Sequence, residues 1–196
     1  MALTRSPVHR TLPALAAMFL LAAATAPSVA AAGPYDALEQ PGAQAIMRHA
    51  RAPGTGDPAG FALEDCSTQR NLDGTGRAQA RATGAALEAA GIRFDHVYAS
   101  AWCRATETAE LMNLGPVSNL PLVDSFWNER AESGPRTQAL IEEIGSWPEG
   151  TRSLMVTHQV NITALTDVFP ASGEIVVFRV TKGGKVELLD RIKPQG

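Results

Sequence analysis

Two short apolar runs that each stop at a histidine constrain this chain more than any other feature. Ala45, Ile46 and Met47 lead into Arg48-His49, and Leu154, Met155, Val156 and Thr157 lead into His158. An apolar run that ends abruptly in polar residues reads as a buried strand delivering its last side chains into a cleft. Open α/β sheets keep their chemistry at such strand ends. A third run, His96-Val97-Tyr98-Ala99, stops in the same way at Ser100.

Helical patterns separate these runs. The first strand is expected at 43–49, after the Pro41-Gly42 breaker. Residues 73–90 read as a helix, capped by Asp73 or Thr75 and closed by Gly91. Its Ala78, Ala82, Ala85 and Ala89 face is expected to lie on the sheet. A second helix, 101–113, carries Trp102, Cys103 and Arg104 in its first turn. Further expectations are a strand at 120–123, a helix after Pro135 with Leu140, Ile141 and Ile144 inward, and a short helix at 161–168. A hairpin of 174–180 and 185–192 turns around Lys182-Gly183-Gly184. Strands alternating with helices and closed by a hairpin predict a three-layer α/β/α sandwich. Its central sheet is mostly parallel, with an antiparallel edge.

The first thirty residues differ from the rest. Arg5 and Arg10 precede an almost wholly apolar stretch, 12–24, and Ser28-Val29-Ala30 offers a small-x-small cleavage site. This is the pattern of a secretory signal peptide over residues 1–30, leaving a single domain over 31–196 and an exported, periplasmic or secreted protein. An uncleaved N-terminal anchor is the alternative. Without Arg5 and Arg10, 15 basic residues face 20 acidic ones. Such a balance, with no basic run, argues against nucleic acid and against stable membrane association after signal removal. Export favours a disulfide between Cys66 and Cys103 over two buried thiols.

In a parallel sheet the three strand ends share one edge. Arg48 with His49, Ser100 followed by Arg104, and His158 would then surround one small volume. Two guanidinium groups and two imidazoles gathered there call for an anion, and planar arginine forks suit phosphate best. The loop 50–72 has no periodic pattern and is long for a compact domain, which favours a functional role. Arg51, Gln69, Arg70 and Asn71 are its candidate substrate contacts. Trp102 and Trp127 are expected to pack in the interior, and His96 to be structural or on the surface.

These residues, in this order, resemble the histidine phosphatase superfamily, the fold of phosphoglycerate mutases and acid phosphatases. Arg48-His49 resembles the signature at the end of its first strand. Arg104-Ala105 and Glu107-Thr108-Ala109 resemble its second arginine segment, and Val156-Thr157-His158 its second histidine. Gly76, Gln79-Ala80 and Gly84 fit the helix between those motifs, and the likeness covers about 43–180.

The resemblance implies a phosphoglycerate mutase-like fold and hydrolysis of a small phosphorylated substrate, with no cofactor and no metal. His49 would be the nucleophile that forms a phosphohistidine; Arg48, Arg104 and His158 would hold the phosphoryl oxygens. Glu129, in Asn128-Glu129-Arg130, would be the general acid and then the base for water, with Glu132 as the neighbour able to replace it. Gln159 follows His158 where the phytase-like branch has its aspartate acid, which places the acid at Glu129. Arg51 and Pro53 lie one residue nearer His49 than the corresponding pair of the acid phosphatases. Ala50 stands where the signature has glycine. That departure keeps open a phospho-ligand binding domain without turnover; a phosphomutase is the other alternative.

Overall fold

Strand β1 (Gln44–Arg48) is buried until its last residue and forms the middle of a six-stranded sheet. Around it the chain adds helix α1 (Gly74–Ala89), strand β2 (His96–Ala99), helix α2 (Cys103–Met112) and strand β3 (Val117–Asn119). Helix α3 (Ser133–Ser146), strand β4 (Ser153–Thr157) and helix α4 (Gln159–Thr166) follow, and strands β5 (Ile175–Val180) and β6 (Val186–Ile192) close the fold. The computed structural model describes residues 1–3 and 33–194, and residues 33–194 belong to one compact unit. The expected signal segment therefore lies outside the described residues, apart from its first three.

The strand order is β3-β2-β4-β1-β5-β6. The pairs β2/β3, β2/β4 and β1/β4 are parallel, whereas β5 runs antiparallel to both β1 and β6. This is the expected mostly parallel sheet with an antiparallel edge. Because side chains alternate along a strand, the sheet feeds two separate cores. Ala45, Met47, Leu154 and Val156 pack with Ala80 and Leu87 of α1 and Ala105 and Ala109 of α2 on one face. Ile46, Met155 and Val176 pack with Leu140 of α3 and Ile162 of α4 on the other. The chain thus leaves β1 toward one face and β4 toward the opposite face. The crevice between these adjacent strand ends is where open α/β sheets bind ligands.

Four expectations need correction. The buried face of α1 is Gly76, Ala80, Thr83, Gly84 and Leu87, while Ala78, Ala85 and Ala89 are exposed. Backbone proximity decides this: a Cβ at Gly76 would lie 2.0 Å from the Arg51 carbonyl oxygen, and one at Gly84 2.0 Å from that of Met112. Only the glycine face lets α1 approach this closely. The third strand is 117–119, in register with β2, and 120–123 is not a strand. Pro121 lacks the N–H that a ladder needs, so Pro121–Val123 becomes a 3-10 turn. Helix α3 begins two residues ahead of Pro135, because a first-turn N–H has no intrahelical acceptor to lose. Helix α4 begins at Gln159 rather than 161, which makes His158 its N-cap residue.

Candidate active site

The backbone around His49 is fixed from four directions. His49 N–H donates to Thr157 O at 2.8 Å, and Gly173 N–H lies 3.1 and 3.2 Å from the carbonyl oxygens of Arg48 and His49. Ala50 N–H donates to Thr108 Oγ1 at 3.1 Å, and Arg51 N–H to Gln79 Oε1 at 3.0 Å. Ala50 is fully buried in the core, and its φ is not in the left-handed region. The methyl group that replaces the signature glycine is therefore accommodated without backbone strain.

Parallel register sets the two histidines side by side. Arg48 pairs with Thr157, so His49 and His158 are the first residues past adjacent strands, with ring centroids 5.5 Å apart. His49 Nδ1 lies 2.8 Å from Ala50 O. A carbonyl oxygen only accepts, so Nδ1 carries the proton and the Nε2 lone pair is the free one. That lone pair is approached by Arg104 Nε–H at 3.2 Å. On His158, Arg104 Nη2 meets Nδ1 at 3.4 Å and Ser100 Oγ meets Nε2 at 2.8 Å. Since a guanidinium only donates, Nε2 carries the proton here and gives it to Ser100 Oγ. Burial, then the positive charge of Arg104, hold both imidazoles well below their ordinary pKa, so both are neutral.

Three arginines supply positive charge. Arg104 is almost wholly buried and makes a bidentate ion pair with Asp57, Nη1 to Oδ1 at 2.7 Å and Nη2 to Oδ2 at 3.2 Å. Arg70 lines the same cavity, held by Gly56 O (2.7 Å) and Ala52 O (2.5 Å). Arg48 donates Nη1 to Pro170 O at 3.0 Å, while its buried Nε has no acceptor. A buried guanidinium N–H without a partner is the position an anionic oxygen would fill. Burial lowers the pKa of all three arginines, but guanidinium groups stay charged in proteins.

Burial raises the Asp57 carboxyl, yet hydrogen bonds from Arg104 and the Arg70 amide outweigh it and hold the group below its usual value. Among the described residues, no group of three or more His, Cys, Asp or Glu side chains could hold a metal ion.

The cavity, about 410 Å³, has polar groups at its floor and aromatic walls. Phe61, Trp102, Trp127 and Phe169 line it, with Trp127 42% and Phe169 69% exposed at the mouth. Both tryptophans expected in the interior thus belong to the pocket; Trp102 stands edge-on to His158, with centroids 5.3 Å apart. Glu129 is on the lining, its side chain 60% exposed and 3.1 Å from Arg136 Nη2. Glu132 is exposed and outside the lining, as is His96.

Of the four expected substrate contacts only Arg70 reaches the cavity. Arg51 is exposed beside Asp73 at 3.4 Å, because the backbone after Ala50 turns outward along α1. Gln69 is buried, donating to Ala62 O and Leu63 O and accepting from Cys103 N–H. Asn71 donates to Cys66 O and Gln69 O. These two residues hold the loop together; they do not line the site. The loop is also joined to α2 by the Cys66–Cys103 disulfide, with Cα atoms 5.7 Å apart. Sequence reasoning missed Asp57, whose Gly56-Asp57-Pro58 setting reads as an ordinary turn.

Comparison with known proteins bears on this arrangement. A family model described as histidine phosphatase superfamily (branch 1) matches residues 45–131, a span that holds Arg48, His49, Arg104 and Glu129. No curated protein sequence matches the chain. Among solved structures, the protein histidine phosphatase SixA complexed with tungstate is similar at 20% identity and TM-score 0.54, over 77% of this chain and 96% of that one. A candidate α-ribazole-5′-P phosphatase from Escherichia coli is similar at 16% identity and TM-score 0.61, over 78% and 96%. A phosphoserine phosphatase mutant from Entamoeba histolytica, in complex with phosphoserine, gives 12% and 0.56, over 76% and 96%. At these identities the solved structures speak for the fold alone, and residues 45–131 are similar to the histidine phosphatase superfamily (branch 1).

Proposed function

We propose that this protein is an exported phosphomonoesterase that works through a phosphohistidine on His49, without a metal. The observation that carries the reading is the His49 ring, whose Nε2 lone pair faces the pocket because Nδ1 donates to the Ala50 carbonyl. A neutral, oriented imidazole is a competent nucleophile near neutral pH. An incoming phosphoryl group takes over the Arg104 N–H bonds now made to the two imidazoles and engages the open Nε–H of Arg48. Charge that spreads over its oxygens in the transition state meets guanidinium donors, of which Arg104 is almost wholly buried.

The leaving group points to the aromatic mouth, where Glu129 protonates it and then takes a proton from the hydrolytic water. Elimination favours Glu129, since the other lining carboxylate, Asp57, is committed to Arg104. Export is supported by the signal-like pattern of residues 1–30 and by the disulfide, a bond that persists in oxidising compartments.

Purified protein is expected to hydrolyse p-nitrophenyl phosphate in the presence of a chelator and to form an acid-labile phosphoenzyme. The His49→Ala variant should lose at least about 10³-fold in kcat. Phosphate binding by the wild type without turnover would sink the enzymatic reading, and an exported form not cleaved near Ala31 would sink the leader.

A further inference from the structure

The mechanism above gives Asp57 no step, yet its carboxylate is fully bonded inside the pocket. Oδ1 accepts from Arg104 Nη1 at 2.7 Å and from the Arg70 backbone N–H at 3.1 Å. Oδ2 accepts from Arg104 Nη2 at 3.2 Å and from Trp102 Nε1 at 3.1 Å. A carboxylate that accepts four hydrogen bonds is held ionised and is no proton donor.

The Arg104 fork is consequently used on two edges. Its end, Nη1 with Nη2, faces Asp57; its side, Nε with Nη2, faces His49 Nε2 and His158 Nδ1 at 3.2 and 3.4 Å. The side edge bonds at 3.2 and 3.4 Å, against 2.7 and 3.2 Å on the end edge, to nitrogen acceptors lying on either side of the volume a phosphoryl group would enter. The end edge stays on Asp57. We propose that Asp57 is the positioning residue for Arg104, fixing the end of the fork so that its side edge gives two parallel N–H bonds to a phosphoryl oxygen pair between the imidazoles. Planar, bidentate geometry of this kind is what an arginine offers and a mobile cation does not.

Coulomb's law alone makes the opposite prediction. Asp57 is a lining carboxylate paired with Arg104 and close enough to Arg70 to act on its charge, so its neutralisation leaves the pocket more positive and would tighten the hold on any anion. The sign of the change therefore separates positioning from bulk charge. Only the kinetic arm of the test rests on the phosphatase reading; anion binding does not.

Tungstate affinity is measured by calorimetry on the intact protein, disulfide included, for wild type, Asp57→Asn and Asp57→Glu. Positioning predicts weakening on the order of tenfold in Asp57→Asn despite the added positive charge. It also predicts a smaller loss in Asp57→Glu, which keeps the charge and displaces it by one methylene. On p-nitrophenyl phosphate, kcat should fall more than KM rises, because the fork is aimed at charge that develops in the transition state. Equal or tighter tungstate binding in Asp57→Asn overturns the proposal. Should that variant fail to fold, wild-type affinity in Asp57→Glu overturns it instead. A wild type that never turns over, with the loss of tungstate binding still seen, would defeat the phosphatase reading and leave the role of Asp57 standing.

Discussion

The pocket has two halves that are held in different ways. His49, Ser100 and His158 are fixed by the sheet: each follows a strand directly, and the N–H groups of His49 and Ser100 are bonded to β4 carbonyls at 2.8 and 3.0 Å. Asp57, Phe61 and Arg70 belong to the loop between β1 and α1, which forms only a single bridge (Ala62 with Asp65) and one short 3-10 turn. That half is held by side chains, through Asp57 on Arg104, Gln69 on Cys103 N–H, and the Cys66–Cys103 disulfide. On the proposed function the sheet half supplies the nucleophile, whereas the loop half orients the charge around it. A site divided in this way can lose its orientation while its chemistry stays in place.

The strongest way to break the comparison is to release the loop. Cutting the disulfide, which spans 37 residues, in a Cys66→Ser/Cys103→Ser variant should lower stability by up to about 4 kcal/mol on the chain-entropy account. The melt by circular dichroism reports that loss. In the protein that remains folded, tungstate should bind more weakly, because Arg70 and Asp57 are freed. The His49 phosphoenzyme should still form, since the sheet is intact. If tungstate affinity is unchanged, the loop half does not depend on its tether.

The same division governs what could be read in the sequence. The strand ends were legible because an apolar run that stops at a histidine carries its own boundary, and parallel register then puts His49 and His158 together. Asp57 was not legible, because its partner Arg104 lies 47 residues away and nothing local distinguishes it from a turn aspartate. One hint was present: three arginines brought into one pocket require a counter-charge, and the loop had to provide it. The face of α1 was misjudged for a related reason. Alanine spacing suggested a smooth contact surface, whereas the glycines mark where the Arg51 and Met112 backbones come too close for any Cβ.

pH sharpens the contrast between the halves. His49 and His158 are held well below the ordinary imidazole value of 6.5, chiefly by burial, so the unfolded chain binds their protons first. Their contribution to stability is complete above pH 6.5 and is lost as pH falls below it, at up to about 1.4 kcal/mol per pH unit for each ring. Asp57 and Glu174 are also held below their ordinary values, where burial alone would raise them, because arginine hydrogen bonds outweigh it. Their stabilisation is lost only lower, as pH falls through and beneath the ordinary carboxylate values of 3.8 and 4.5. Urea unfolding between pH 6.5 and 5 should therefore report the sheet half, and the slope there should fall by about half in His158→Gln. A slope unchanged by that substitution would contradict the neutral, buried state of His158.

The smallest expected effect tests where the pocket ends. Arg51 is two residues from His49 and would be a natural phosphate ligand by position alone. Its guanidinium instead lies outside the cavity, half-exposed and 3.4 Å from Asp73. An exposed pair of this kind is worth at most about 1 kcal/mol, and salt screens it. Arg51→Ala should leave tungstate affinity and the KM for p-nitrophenyl phosphate unchanged and shift stability by about 0.5 kcal/mol or less. Arg70→Ala is the matched comparison, since Arg70 lines the cavity, and it should weaken tungstate binding on the order of tenfold. If the two variants behaved alike, with Arg51 as costly as Arg70, the loop half of the site would have to extend past α1 to include the outer arginine. The boundary drawn between the sheet-held and loop-held halves would then be in the wrong place.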